Sequence, residues 1–374
     1  MNPATPWYAI DNVDDIASPT VLVYPDRVDH NLRRMTELVG GDPAKLRPHV
    51  KTHKLAPIVA MKLAQGIRKF KVSTIAEAEM TAQAGGPDIL LAHQPNGPGI
   101  ARLVALMQAY PAVTWSTIVD DAQNLQALGA AVRAAGLTLT VYVDVNVGMN
   151  RTGIVPGDAA QALYAQLCQT PGLIPGGLHA YDGHLRDPDD TALEAQVRQT
   201  FAPLWAMRES LLARGLPVPR VIASGTPTFA IVARTPGIDV EVGAGTTALW
   251  DFGQEQVCPS HQMWNAAVLL TRVISKPTPD RICLDLGHKA VGSEMVHPRV
   301  QIFGLEDAQA VVHSEEHLVL QTPRADQYRV GDALYGLPRH ICPTMALHSE
   351  VWAVRGGRAA ERWPVTARAR RLTV

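Results

Sequence analysis

The stretch "LRPHVKTHK" at residues 46–54 puts five basic or imidazole groups into nine positions of a chain whose charged residues amount to only 18%. Lys51 has the most distinctive chemistry among them. An ammonium partly desolvated at the end of a strand can lose its proton and condense with an aldehyde as a Schiff base. Two later stretches supply a complementary chemistry: "SGTPT" at 224–228 and "GAGTT" at 243–247. Both combine glycine, which lets backbone N–H groups approach closely, with hydroxyl donors, the mixture that cradles a phosphate. A reactive amine and two phosphate loops together suggest pyridoxal phosphate. Each member alone has a plainer reading as a solvated lysine or a turn, so from spacing alone another barrel enzyme stays open.

The elements that must position these groups follow from the chain's rhythm. From about residue 20 to 250, short β-rich runs ("TVLVY", "LRPHVK", "KFKVST", "DILLAH", "VTWSTIV", "LTVYVDVNV", "GGLHAY", "RVIASG", "VEVGAG") alternate with Ala- and Leu-rich stretches. Those stretches have helical spacing and end in glycine, as in "DAQNLQALGAAVRAAG". Strict alternation implies a parallel sheet, and eight or nine units without a "GxGxxG" after the first strand match a (β/α)₈ TIM barrel better than an open sheet. In such barrels the strand-to-helix loops open on one face, which gathers the polar residues at the strands' C-terminal ends into the site. After residue 255, β-like runs separated by Pro, Gly and Asp read as a mainly β domain. The expected boundaries are a barrel over 16–255 and a β domain over 256–374, joined by residues 1–15.

Composition narrows the partners. A chain of 374 residues with 47% hydrophobic content and formal net charge −1 has no global attraction to nucleic acid or to an anionic membrane. No apolar run approaches the length of a bilayer span and no signal peptide opens the chain, so a cytoplasmic protein is expected. Cys168, Cys258 and Cys283 read as core thiols. Cys342 differs, because "RHICPT" places it two residues after His340. In an extended segment those two side chains point the same way, and an imidazole with a thiolate favours zinc. Two ligands alone leave a chance pairing or a core cysteine open.

The motifs "RPHVKTHK", "TIAEAEM", "VDVNVGMNRTG", "GLHAYDGH", "SGTPTF" and "RHICPT" resemble the fold-type III pyridoxal phosphate enzymes of the D-threonine aldolase and D-serine dehydratase family. The likeness runs nearly end to end, from "SPTVLVYPDRVDHNLRRM" to "ERWPVTARARRL". It implies an alanine racemase-like barrel with a C-terminal β domain, and a homodimer. It also implies that Lys51 holds the cofactor covalently with His49 beside it. Ser224, Gly225 and Thr226, with Gly245 and Thr246, would take the phosphate. Tyr181 would line the pocket and take part in catalysis, and Arg151 would lie near the pyridoxal ring; an ion pair with Asp144 is the structural alternative for Arg151.

Family members carry a divalent metal on a His-x-Asp or His-x-Cys pair where this chain has His340 and Cys342. Cysteine matches the dehydratase branch and leans toward zinc over manganese, whereas the well-known D-threonine aldolases have aspartate. The implied activity is a lyase acting on D-β-hydroxy-α-amino acids. One form is retro-aldol cleavage of D-threonine-like substrates to glycine and an aldehyde; the other is dehydration of D-serine or D-3-hydroxyaspartate to a 2-oxo acid and ammonia. A racemase is disfavoured, because "DLGHKAVGSE" lacks the tyrosine that such enzymes use and Gly243 stands where they place an arginine. A small cofactor-carrier protein would have no C-terminal domain.

Overall fold

The run Thr20–Val23 (β1) is buried at every position. The rhythm of the sequence places it first in the barrel, but in the computed structural model, which describes residues 6–374, it joins the other sheet. There it pairs antiparallel with Ala267–Thr278 (β9) and parallel with Glu350–Arg355. A short buried strand followed by the helix Pro25–Leu38 carries no signal for the sheet it enters, because tertiary pairing decides that.

The chain divides into two units, and β1 belongs to the mainly β one. That unit comprises the described residues up to Leu32, then Thr52–Leu55 and Thr246–Arg368. Its nine-stranded sheet carries a core in which Ile10 and Ile16 pack with Leu22, Tyr24, Val268 and Leu270. Residues 6–15 thus lie with the β unit; residues 1–5 of the segment expected there fall outside the described residues.

The second unit, Arg33–Lys51, Ala56–Gly245 and Ala369–Val374, is the barrel. It also takes the last six residues, which the sequence boundary assigns to the β domain. The physical reason is a local clasp in which the Thr373 N–H donates to Glu79 Oε1 at 3.1 Å. Seven parallel strands run in chain order: Lys69–Val72 (β2), Asp88–Leu91 (β3), Thr114–Val119 (β4), Leu139–Val145 (β5), Leu173–Ala180 (β6), Arg220–Ala223 (β7) and Val240–Val242 (β8).

Residues 46–50 occupy the eighth place. Toward β8, the N–H groups of Arg47 and His49 donate to the carbonyls of Val242 and Ala244 at 2.9 and 3.1 Å. Toward β2, Val50 N–H donates to Lys71 C=O at 2.8 Å and Lys71 N–H to Pro48 C=O at 3.1 Å. Pro48 has no N–H to give, so the ladder is interrupted and the segment forms bridges instead of a regular strand.

The helices form for the reasons that make them legible. Ala122–Ala134 starts under the Asp121 side-chain cap and buries Leu125, Leu128, Gly129 and Val132, positions three and four apart that share one face. It ends where Gly136 N–H bonds the Arg133 carbonyl and Leu137 N–H the Val132 carbonyl, at 3.0 and 3.1 Å, the paired bonds of a glycine C-cap. Among the described residues no helix is long and apolar enough to cross a membrane.

Alternation along the barrel strands stacks their inward residues in tiers. The lowest tier is ionic: the Arg47 guanidinium donates to Glu241 Oε2 at 2.6 Å and to both Asp88 oxygens at 2.7 and 3.0 Å. Lys69 and Arg220 also pair with Glu241. Arg47 and Glu241 are each only 1% exposed, so removing one charge leaves its partners buried and undercompensated. Arg47→Ala is expected to destabilise the protein by about 3–5 kcal/mol, read as a lower urea midpoint. An unchanged midpoint would show that the ionic tier carries no stability.

Candidate active site

The strand ends above the ionic tier carry Lys51 and its neighbours. Three positions of the segment 46–51 climb one inward face at i, i+2 and i+4: Arg47 below, His49 above it and Lys51 at the top. His49 is held on both ring nitrogens. The Lys51 backbone N–H donates to Nδ1 at 3.2 Å, and Nε2 lies 3.1 Å from Ser73 Oγ.

Tyr181, just beyond β6, organises the rim. Its ring centroid is 5.7 Å from Lys51 Nζ and 4.7 Å from the Arg151 guanidinium carbon. A Cβ added to Gly225 would come within 3.2 Å of Tyr181 Cε2, so Tyr181, Lys51, Arg151 and Gly225 form one cluster. Asp144 is not the partner of Arg151, which stacks on Tyr181 instead. The Asp144 carboxylate bonds His179 Nδ1 at 2.6 Å. The alternative ion pair is thereby replaced by a cation–π contact.

The two loops rich in glycine and hydroxyl groups are partly self-satisfied. Gly245 N–H donates to Thr226 Oγ1 at 3.2 Å, and Gly225 N–H to Thr228 Oγ1 at 3.3 Å. Ser224 is different: it adopts a left-handed backbone, with φ 83°, a strain of order 1 kcal/mol for a non-glycine residue. Its buried Oγ has no hydrogen-bond partner among the described residues. An orphaned hydroxyl beside a glycine whose enlargement would crowd Tyr181 is a suitable place for an oxygen-rich ligand. These residues fit pyridoxal phosphate.

Lys71 of β2, which the motifs do not pick out, lies with Asp144 of β5 and His179 of β6, both within the quoted motifs, and all three are buried. Burial, reinforced by the nearby Lys71 charge, pushes His179 below its usual range. Asp144 is also buried, but the charge and hydrogen bond of His179 hold it below the ordinary carboxylate range. Lys71 alternates with Lys69 in "KFKV"; that period was the available signal, and a strand bearing two inward lysines is easily taken for a solvated one.

The β unit carries the other predicted pair. His340 is the extended N-cap of the helix Ile341–Leu347, so Cys342 sits in the first helical turn. The expected extended segment is corrected on that point, since Asp251 accepts the Ile341 N–H at 2.9 Å and fixes the helix start. The two side chains still interact. Partial burial disfavours charge on His340, but Cys342 and Glu294 outweigh it and raise the imidazole to about 9.

Glu294 bonds His340 Nδ1, so a metal at this residue would be taken by Nε2, as in a carboxylate-oriented metal histidine. Cys342 Sγ lies 3.1 Å from Thr52 Oγ1 and 3.8 Å from Thr246 Oγ1. Thr246 therefore meets the thiol. Among the described residues no group of three or more His, Cys, Asp or Glu is arranged to hold a metal. The His340 and Cys342 donors fit a soft or borderline divalent ion with water or substrate filling the remaining positions.

Comparison with known proteins places this arrangement. Residues 23–244 match the alanine racemase N-terminal domain family, and residues 266–354 match a serine dehydratase domain. The chain is 31% identical to a D-threonine aldolase from Arthrobacter sp., covering 98% of this chain and 96% of that one. It superposes on the crystal structure of a D-threonine aldolase from Filomicrobium marinum with a TM-score of 0.88 at 27% identity, covering 96% and 98% of the two chains. A D-threo-3-hydroxyaspartate dehydratase, solved as a cysteine-to-alanine mutant in the metal-free form, gives a TM-score of 0.84 at 25% identity, covering 95% and 98%. With its alanine racemase-like barrel and C-terminal β domain, the chain belongs to the fold-type III pyridoxal phosphate enzymes of the D-threonine aldolase and D-serine dehydratase family.

Proposed function

We propose that the protein is a pyridoxal phosphate- and divalent metal-dependent lyase that cleaves D-threonine-like β-hydroxy-α-amino acids to glycine and an aldehyde. The end-to-end similarity to the Arthrobacter D-threonine aldolase carries this reading. Pyridoxal phosphate, when bound, supplies an electron sink for the pair released when a bond at Cα breaks. A divalent ion, zinc in preference to manganese because one donor is a thiolate, supplies Lewis acidity toward the substrate's β-hydroxyl.

The chain's own residues do the rest. Lys51 would hold the cofactor aldehyde, and its amine is able to take up and give back a proton. His49 is kept in register by the Lys51 N–H and by Ser73, and is the nearby candidate for taking the β-hydroxyl proton. Tyr181 packs against the cofactor and excludes water, while Arg151 adds positive charge beside the ring. Ser224, Gly225 and Thr226, with Gly245 and Thr246, face the phosphate. His340 and Cys342 hold the metal, with Glu294 orienting the imidazole. A homodimer completes the reading, in keeping with the family, and a cytoplasmic location agrees with four unpaired cysteines.

A second reading rests on Cys342. The metal-free dehydratase mutant has a cysteine replaced, and a His-x-Cys pair suits a dehydratase that expels the β-hydroxyl and yields a 2-oxo acid and ammonia. Incubation with D-threonine in the presence of pyridoxal phosphate and zinc or manganese separates the two. Glycine with acetaldehyde is expected; 2-oxobutanoate with ammonia would transfer the assignment to dehydration, and neither product would overturn both.

A further inference from the structure

We propose that Gly183 is a positioning residue for Tyr181: by withholding a side chain, it lets the tyrosine ring fold back over the turn that follows and stay against Arg151 and within reach of Lys51. This role rests on the reading of Tyr181 as a wall of the cofactor pocket and accounts for how that wall is placed. A Cβ added to Gly183 would lie 2.3 Å from Tyr181 Cε1 and 2.6 Å from both its Cζ and its hydroxyl oxygen. The opposite edge of the ring is closed as well, because a Cβ added to Gly225 would lie 3.2 Å from Cε2. The ring stands in a slot between two glycines.

Backbone conformation does not require glycine at 183. The residue does not adopt the left-handed backbone that glycine alone enters freely, so alanine could follow the same chain path. The turn itself is pinned: Leu185 N–H donates to the Asp182 carbonyl at 2.9 Å, and Arg186 Nε–H donates to the Gly183 carbonyl at 3.3 Å. Gly183 is also buried. A methyl group there must therefore be met by movement of the ring. To regain ordinary contact distance the ring would have to retreat by about 1 Å. That retreat would take it off its present place, 4.7 Å from the Arg151 guanidinium carbon and 5.7 Å from Lys51 Nζ. Cation–π attraction depends on that placement, and a misplacement of about 1 Å is enough to cost a large factor where geometry is exacting.

The test is a double-mutant cycle on the full chain, stripped of cofactor and titrated with pyridoxal 5′-phosphate. Loading is followed by absorbance, the loaded lysine is identified by borohydride reduction and peptide mass, and the melting temperature of each cofactor-free variant is recorded. Gly183→Ala is expected to raise the dissociation constant about tenfold, the scale of one well-placed aromatic contact, with the melting temperature held. Tyr181→Ala is expected to do the same. Adding Gly183→Ala to Tyr181→Ala should change nothing further, because the ring atoms that the new methyl would meet are gone, and two substitutions that act through one group are not additive.

A Gly183→Ala variant that loads like wild type overturns this role and leaves that of Lys51 standing. Equal losses of affinity or of melting temperature in both backgrounds overturn it too, since the methyl then acts on something besides the ring. If Gly183→Ala alone does not fold, the double variant decides: one that folds and loads like Tyr181→Ala supports the role, and one that also fails to fold overturns it. A Tyr181→Ala variant that loads like wild type removes Tyr181 from the pocket and this role with it. Wild-type protein that never carries the cofactor on Lys51 overturns the functional reading itself.

Discussion

Lys51→Ala is expected to lower turnover by roughly 10⁴-fold or more while leaving the barrel folded. The backbone accounts for the second half of that expectation. The segment 46–50 is held between β8 and β2 by main-chain bonds from Arg47, His49 and Val50 and to Pro48, none of which uses the Lys51 side chain. The chemistry accounts for the first half, since a Schiff base needs a primary amine and alanine offers none. Lys71 is buried, with its ammonium turned toward Gly243. Lys51→Arg should be as inactive as alanine, because a guanidinium stays protonated and cannot condense. Far-ultraviolet circular dichroism and cofactor absorbance make the measurement complete: folded protein without the bound-cofactor band is the expected pair of results. An alanine variant that keeps even a tenth of wild-type turnover would remove Lys51 from the reaction.

Much of this arrangement was legible in the sequence because its signals are local. Helix caps, glycine stops and the alternation of strand with helix depend on neighbours a few residues away, so the parallel barrel and its strand ends could be read directly. What escaped depends on distant partners. β1 looks like any buried strand, and its entry into the other sheet is decided by β9, some 250 residues later in the chain. The Asp144–His179 bond and the partner of Arg151 are likewise tertiary choices, and a charge beside a carboxylate in sequence need not meet it in space. The expected extended His-x-Cys segment failed for a related reason: Asp251, far upstream, captures the Ile341 N–H and starts a helix there. Lys71 was hidden because buried lysines are rare enough that "KFKV" reads as a solvated strand.

Cys342→Ala is expected to strip the metal and lower turnover by roughly 10²-fold or more, the equivalent of losing several kcal/mol of Lewis-acid stabilisation. The loss should appear as metal content below stoichiometric by elemental analysis, with the cofactor band unchanged, since Lys51, Tyr181 and Ser224 belong to the barrel unit. Glu294→Gln tests the same centre more gently. It weakens the group that fixes the His340 tautomer and should cost about 10–100-fold in metal affinity. Cys342→Asp is the informative exchange, because it replaces a soft thiolate with a hard carboxylate at the same position and should shift the preferred ion from zinc toward manganese. If that variant also changes the ratio of glycine to 2-oxobutanoate from D-threonine, the second ligand governs which bond of the substrate breaks. If the ion preference changes and the product ratio does not, the metal only polarises the hydroxyl, and the choice of bond lies with the barrel residues that orient Cα over the cofactor.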